Sequence, residues 1–263
     1  MGCIKYEKEG PLAKVGLNRP EKYNGINMAM FNELIATVEE IAADKSIRAV
    51  LLYGEGKGFC AGLDFTEVIK QPQNIPYLMN FSDDKIANKA QQVGYAWTEL
   101  PVPVIAVLHG PVFGGGFQIA MGADIRVASP CAVLSIMEIK WGLIPDMSIT
   151  TTLPYVTSLD VIKELMWTGR KVPAEEAKEL GLVTHIDENA MERGLFLAEQ
   201  ICQQSPDAIS QSKRMINEAI QLRHAERLRL EAELQTKVLG KSNQLEAMQS
   251  NFQKRAANYK DRQ

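Results

Sequence analysis

Three consecutive glycines, Gly114 to Gly116, constrain the fold of this chain more than any other feature of its sequence. They follow the apolar run 104–108, which reads as a buried strand, and they open a second apolar run, 117–121. Glycine has no Cβ, so the backbone here can approach a ligand closely. A helix that begins at this point presents unpaired N–H groups at the positive end of its dipole, which suits a negatively charged oxygen. A plain tight turn is the alternative interpretation of the triplet.

A second glycine-rich loop, GEGKGFCAGLD at 54–64, follows another strand-like run. The preceding residues 49–53 are apolar throughout, which is typical of a strand buried on both faces. The loop lacks the Gly-Lys-Ser/Thr ending of a nucleotide-binding P-loop. We predict that it leads into a helix near Phe65 that is capped by Asp64. Taken alone, the segment also fits an ordinary connection between a strand and a helix.

Short apolar strands and helices alternate along the rest of the chain, which favours an α/β architecture. We predict a helix over Met28–Ala43 with Asn27 as its N-cap, because apolar residues recur at helical spacing there. We also predict that 77–100 is largely helical and that helices dominate from Leu159 onward. The predicted elements are strands at 4–6, 12–17, 48–53, 104–108, 123–128, 132–135 and 181–186, and C-terminal helices at 190–204, 206–222 and 225–260, the last with breaks at Gly240 and Ser242.

The composition excludes several classes of function. A net charge of −3 over 263 residues gives no sign of a nucleic-acid partner or an anionic membrane partner. No apolar run reaches membrane-span length, and the N-terminus lacks the apolar core of a signal peptide. The four cysteines are scattered without a CxxC pair, and no HExxH motif occurs, so we expect no metal site. Together these features predict a cytoplasmic protein with reduced thiols.

The two glycine loops together resemble the crotonase superfamily, the enoyl-CoA hydratase/isomerase group. The segments FCAGLD (59–64) and HGPVFGGGFQIAMGADIRVA (109–128) carry the resemblance. Three further segments are similar in the same order: NRPEKYNGIN (18–27), TGRKVPAEEAKELGLVTHI (168–186) and FQKRAANYKD (252–261). The resemblance therefore covers almost the whole chain.

The resemblance implies a fold, a substrate and an assembly. The implied fold is α/β, the crotonase (ClpP-like) spiral of ββα repeats, with a core over 1–195 that holds the acyl-CoA site. A C-terminal helical region over 196–263 would support a homotrimer or a dimer of trimers. The substrate would be an acyl-CoA thioester, and no separate cofactor is expected because coenzyme A is part of the substrate.

The shared chemistry of the family is polarisation of the thioester carbonyl by two backbone N–H groups, which stabilises an enolate. Matched onto this sequence, these oxyanion-hole donors belong to Leu63 and Gly115. Residues that the resemblance places near coenzyme A are Lys22, Tyr23, Ala61, Asp64, Phe252 and Lys254. Phe252 and Lys254 would reach the nucleotide of a neighbouring subunit.

The polar side chains at the reacting carbons distinguish the reactions of the family, and here these catalytic residues would be Gln118, Glu138 and Asp146. Hydratases of the family grip a water molecule with two glutamates, at the positions of Gln118 and Glu138. Here the first is an amide, which orients a hydroxyl or a water but exchanges no proton at neutral pH. Dienoyl-CoA isomerases carry an aspartate at the position of Asp146, paired with the glutamate that matches Glu138, and a bulky aliphatic residue at the position of Leu63. They differ from this chain at Gln118, where they have aspartate.

The resemblance therefore predicts an acyl-CoA double-bond isomerase, with an enoyl-CoA hydratase as the alternative. A non-catalytic acyl-CoA-binding protein is a third possibility. Some family members bind RNA through a lysine-rich first helix, but 28–44 contains neither lysine nor arginine. For individual residues, Asp146 as a cap of the helix near Ser148 and Gln118 as filler of a helix face are the structural alternatives to a role in catalysis.

Overall fold

A computed structural model describes residues 2–68, 70–82 and 85–263. The strands are β1 (Ile4–Glu9), β2 (Leu12–Leu17), β3 (Ala49–Gly54), β4 (Val104–Leu108), β5 (Pro111–Phe113), β6 (Ile125–Ala128), β7 (Val133–Ser135), β8 (Val172–Pro173) and β9 (His185–Ile186). The helices are α1 (Met28–Ala43), α2 (Phe65–Val68), α3 (Asn74–Met79), α4 (Lys89–Glu99), α5 (Gly115–Met121), α6 (Ile149–Thr152), α7 (Leu159–Thr168), α8 (Ala174–Glu179), α9 (Ala190–Cys202), α10 (Pro206–Ala219), α11 (His224–Val238) and α12 (Ser242–Gln253). Short 3-10 helices lie at Pro20–Lys22, Glu138–Trp141 and Leu153–Tyr155.

The main sheet has six strands in the order β1-β2-β3-β4-β6-β9, and all its pairs except β1 with β2 are parallel. Every residue of β3 and β4 is buried, as the continuous apolar runs predict. The three-stranded sheet β5-β7-β8 lies beside it, with β5 parallel to β7. This mixed α/β architecture confirms the predicted fold class.

Parallel strands bring the two glycine-rich loops to one edge of the sheet. The first loop follows β3, and the segment that leads through β5 to the glycine triplet follows β4, so both segments leave neighbouring strands at the carboxyl edge. Backbone hydrogen bonds then join the loops directly. The Phe59 N–H donates to the His109 carbonyl at 2.8 Å, and the Cys60 N–H donates to the Pro111 carbonyl at 3.0 Å.

Helices cover both faces of the main sheet. The larger apolar core packs α1, α4 and α5 against one face, and a smaller cluster packs Ala190 and Ala198 of α9 against the other. The predicted boundary between 195 and 196 falls inside α9, so one helix spans it. The division into a core and an oligomerisation region stays a prediction. None of the helices in the described ranges combines the length and the hydrophobicity that a membrane crossing needs.

The segment 77–100, which we predict to be largely helical, is interrupted in its middle. α3 ends at Met79 and α4 begins only at Lys89, while Asp83 and Asp84 lie outside the described residues. The interruption arises because a new helix starts at Lys89. Asn88 accepts a bond from the Gln91 N–H at 2.9 Å, and the Gln91 side chain accepts one from the Asn88 N–H at 3.0 Å. This capping box fixes the first turn of α4.

The predicted break near Gly240 is confirmed, because α11 ends at Val238 and α12 begins at Ser242, but the prediction that the last helix runs to Lys260 is wrong. α12 ends at Gln253, because Lys254 adopts a left-handed backbone with φ of 51°. The remaining tail returns to the core. Arg262 is 6% exposed and donates to the carbonyls of Ala42 and Asp44 at 3.0 and 2.9 Å. These contacts replace the intrahelical bonds that a longer helix would make.

We expect Gly122→Ala to destabilise the fold, because α5 ends against α4 with no room for a side chain. A methyl group on Gly122 would lie 1.9 Å from the Gly94 carbonyl oxygen. Overpacking of this kind costs about 1–3 kcal/mol. Thermal unfolding at fixed protein concentration measures the loss. Gly240→Ala is the control, because it has open space around it and a φ of +74°, so it costs only the left-handed backbone. Equal melting of the two variants would contradict the packing argument.

Candidate active site

The pairing of Leu63 with Ile26 leaves the backbone N–H of Leu63 without a backbone acceptor among the described residues. Ile26 and Leu63 form a parallel bridge in which the Gly62 carbonyl accepts from Ile26 N–H and the Asp64 N–H donates to the Ile26 carbonyl. Since the two flanking residues make these bonds, the N–H of Leu63 points to the opposite side. Within the part of the chain that the structure describes, this N–H has no backbone acceptor.

The amide of Gly115 lies on the adjoining segment. Gly114 donates its own N–H to the Ser135 carbonyl at 3.0 Å, whereas the N–H of Gly115 has no backbone acceptor among residues 2–68, 70–82 and 85–263. The two segments touch: a methyl group on Gly62 would lie 3.5 Å from the Gly115 nitrogen and 2.9 Å from the Phe113 oxygen. Gly62 and Gly114 have φ of +94° and +53°, which favour glycine. The structure thus brings the two predicted oxyanion donors together on touching backbones.

The side chain of Glu138 lies beside the two glycine loops and comes from a third segment, the 3-10 helix that follows β7. A methyl group placed on Gly114 would lie 3.5 Å from Glu138 Oε1. The same oxygen accepts a hydrogen bond of 2.6 Å from the Gln118 side-chain amide. The other oxygen, Oε2, is buried and accepts no hydrogen bond from any described residue. A carboxylate with one oxygen held and the other free therefore stands beside the glycine loops.

The surroundings of the two carboxyl groups favour proton transfer. Burial raises the pKa of the Glu138 carboxyl above its ordinary value, the bond from Gln118 acts in the opposite direction, and the negative charge of Asp146 raises it again. Burial also raises the pKa of Asp146. The hypothesis that Asp146 merely caps the next helix is wrong. α6 begins at Ile149 with Ser148 as its N-cap, and among the described residues no side chain, that of Asp146 included, makes a capping bond to it.

Gln118 lies inside the molecule rather than on its surface. It is 1% exposed, donates to Glu138 and accepts a bond of 2.8 Å from the Met147 N–H. No local pattern in the sequence predicts the Met147 partner, because the bond joins residues 29 positions apart. Nor does any local pattern predict that Ser148 adopts a left-handed backbone with φ of 75°.

The predicted coenzyme A residues divide into two groups. Tyr23 and Ala61 line one open cavity of about 480 Å³ together with Phe113 and Lys171, next to the glycine loops. Lys22 ends the 3-10 helix just before Tyr23. Phe252 and Lys254 lie at the end of α12, where the Phe252 side chain is 81% exposed. Their predicted contact with a neighbouring subunit's nucleotide, and all contacts with coenzyme A, stay predictions.

Asp64 is held by its own chain. Its carboxylate accepts from Thr66 at 2.8 Å and lies 3.2 Å from the guanidinium of Arg19, and it accepts from the Glu67 N–H as a cap does. Although burial alone would raise the pKa of Asp64, the hydrogen bonds from Thr66 and Arg19 lower it. The prediction of a role in binding coenzyme A thus concerns a carboxylate that already has partners.

Sequence reasoning missed the residues that hold the first glycine loop in place. Asn24 is fully buried and donates to the carbonyls of Glu55, Gly58 and Phe59 at 2.9–3.1 Å. Arg19 donates to the Gly25 carbonyl and to Asp64. The sequence feature that could have indicated these residues is the segment 18–27, in which polar residues occur close to the apolar Ile26.

Comparison with known proteins agrees with this geometry. The family model "Enoyl-CoA hydratase/isomerase" matches residues 7–262. The enoyl-CoA hydratase EchA19 of Mycobacterium tuberculosis is 30% identical over 262 residues, covering 97% of this chain and 96% of that protein. The mitochondrial Delta(3,5)-Delta(2,4)-dienoyl-CoA isomerase of Mus musculus is 35% identical over 213 residues, 76% of this chain and 63% of that protein.

A solved structure shows the same fold. The enoyl-CoA hydratase of Bacillus anthracis superimposes with a TM-score of 0.86 at 29% identity, covering 98% of this chain and 99% of that one. The matched family model spans the sheet from Glu7 of β1 onward, both glycine loops and the three polar side chains at Gln118, Glu138 and Asp146. The chain belongs to the enoyl-CoA hydratase/isomerase family.

Proposed function

We propose that this protein shifts the double bonds of acyl-CoA thioesters, of the enoyl or dienoyl type, through an enolate. The observation that carries the proposal is the pair Glu138 and Asp146, two half-buried carboxyl groups whose pKa values are both raised by burial. An amide, Gln118, stands where a hydratase of the family has its second glutamate.

The proposed reaction moves one proton and leaves the oxidation state unchanged. The N–H groups of Leu63 and Gly115 donate to the thioester oxygen while Glu138 Oε2 removes a proton from the carbon next to the carbonyl. The electron pair of the broken C–H bond delocalises into the carbonyl and the conjugated double bonds. A carboxyl group at the far end, Asp146, then supplies a proton to the terminal carbon of that system. Burial raises the pKa of Asp146, which is the direction of change that a proton donor needs.

Hydration would use the same site differently. It needs two groups that exchange protons with a bound water, and the amide of Gln118 is already engaged by Glu138 and by the Met147 N–H. Because the full-length relative named above is a hydratase, hydration is the outcome against which the proposal is tested. An acyl-CoA substrate is consistent with the family. The homotrimer or dimer of trimers and the cytoplasmic location remain part of the proposal.

The substrate test uses three thioesters, a 3,5-dienoyl-CoA, a 3-enoyl-CoA and crotonyl-CoA. We expect rapid double-bond shifts in the first two and slow hydration of the third. Fast hydration of crotonyl-CoA with no double-bond shift would contradict the isomerase. Turnover of every thioester at no more than the uncatalysed rate, in the unmodified protein as in Glu138→Gln, would instead favour a non-catalytic acyl-CoA-binding protein.

Asp146→Asn tests the second proton-transfer group. We expect kcat for the dienoyl shift to fall by about 10²-fold, because the far carbon then lacks its proton donor. The slow hydration of crotonyl-CoA should change much less, since it does not need that donor. Asp261→Asn, at an exposed position in the C-terminal tail, is the matched control. Equal losses in both reactions would assign Asp146 a structural role.

A further inference from the structure

We propose that Gln118 is a positioning residue: it bridges Glu138 to the Met147 N–H and so fixes Oε2 as the oxygen that moves the proton. The inference rests on the proposed function and assigns Gln118 a role without contact to the substrate. It differs from the sequence prediction, which counted Gln118 among the groups acting on the substrate.

The two hydrogen bonds of the amide have opposite polarity. The nitrogen Nε2 donates to Glu138 Oε1 at 2.6 Å, and the oxygen Oε1 of the amide accepts from Met147 N–H at 2.8 Å. A charged carboxylate needs a donor, and a backbone N–H needs an acceptor. A glutamine side chain meets both needs at once, whereas a carboxylate at 118 would face Glu138 with a like charge.

The far end of the bridge is rigid. Ser148, next to Met147, holds a left-handed backbone, and α4 packs tightly against this turn. A methyl group on Gly94 would lie 2.5 Å from the Met147 carbonyl oxygen and 2.7 Å from Ser148 Oγ. Gln118 itself belongs to α5, in which every residue is buried. The amide is therefore anchored at both ends.

This anchoring decides which oxygen of Glu138 is available. Oε1 is held by the short bond, so the carboxylate cannot rotate without breaking it. Oε2 remains buried and without a hydrogen bond from any described residue. Asp146 directly precedes Met147, so the same bridge also fixes the spacing of the two carboxyl groups.

The test compares Gln118→Met with Gln118→Glu. Methionine is of similar length but makes neither bond, and glutamate keeps an acceptor for Met147 but loses the donor to Glu138. For Gln118→Met we expect kcat to fall by about 10- to 100-fold with KM within about twofold, because misplaced reacting groups cost rate rather than binding. We also expect a change in the pH profile of kcat. Its acidic limb, the pH range over which kcat falls as the solution is acidified, should move to higher pH.

The direction of the pH shift follows from charge. The bond from Gln118 stabilises the ionised form of Glu138, so losing it raises the pKa of the base, and activity is lost at a higher pH as the solution is acidified. Gln118→Glu adds a like charge and should move the limb further in the same direction. A role confined to packing would leave the limb where it is in Gln118→Met, which adds no charge.

The outcomes separate the inference from the proposed function. The substrate panel on the unmodified protein decides between isomerase and hydratase. The pH profiles of the two variants, taken on whichever reaction the protein performs, decide the role of Gln118. Thermal unfolding identifies a variant that fails to fold, and the other variant then carries the test. Unchanged kcat, or a lowered kcat with an unmoved acidic limb, would overturn the positioning role.

Discussion

Glu138→Gln is expected to lower kcat for the double-bond shift by about 10²–10⁴-fold, the range that a general base contributes. Glutamine keeps the size of the side chain but accepts no proton at neutral pH. KM should change little, because the variant still fits the half-buried space beside Gly114. Steady-state kinetics on a dienoyl-CoA, with circular dichroism to verify folding, measure the effect.

The pH dependence of kcat gives a second test of the role of Glu138. Burial raises the pKa of Glu138, and the base must be ionised to act. Activity is therefore retained above that raised pKa and lost as the pH falls through it, at a pH above the ordinary range of a glutamate. Glu138→Gln should abolish this limb. Glu175→Gln, at an exposed position in α8, is the control and should leave both kcat and the limb unchanged. An intact acidic limb in Glu138→Gln would assign proton removal to another group.

Gly62→Ala is expected to lower kcat by about 10²–10³-fold, the cost of losing one oxyanion donor. Its methyl group would lie 2.9 Å from the Phe113 carbonyl oxygen and 3.5 Å from the Gly115 nitrogen. The two loops must separate to admit it, and backbone atoms give way less easily than side chains. The donors at Leu63 and Gly115 then no longer converge on one oxygen.

The control for Gly62→Ala isolates the loss of stability that comes only from placing alanine in a left-handed backbone conformation. Gly10→Ala has the same left-handed requirement, with φ of +57°, but no atom of a described residue lies within 4 Å of the new methyl group. It should lose stability without losing activity. Calorimetric binding of coenzyme A, which lacks the acyl carbonyl, should be much less affected in Gly62→Ala than kcat is. Full activity in a folded Gly62→Ala protein would contradict the convergence of the two amides.

The local pattern of the sequence was enough to predict the elements that form the frame of the site. β2 and α1 have the predicted bounds, and Asn27 caps α1 by accepting from the Met30 N–H at 2.9 Å. Strands buried on both faces leave continuous apolar runs, and a capped helix leaves a polar residue before a period of 3.6. The two glycine loops were visible for a similar reason, since only glycine adopts their backbone without cost.

Contacts between distant segments were decided by the tertiary structure alone. The bridge from Gln118 to Met147, the pairing of Arg19 with Asp64, and the return of the tail through Arg262 to α1 join residues that have no local relation. The break between α3 and α4 escaped the pattern because a single capping box outweighed the helical spacing around it. By itself the sequence determined where strands, helices and glycine loops occur, because these depend on neighbouring residues. Which oxygen of Glu138 is free depends on a side chain 20 positions away, and only the folded chain brings that side chain to it.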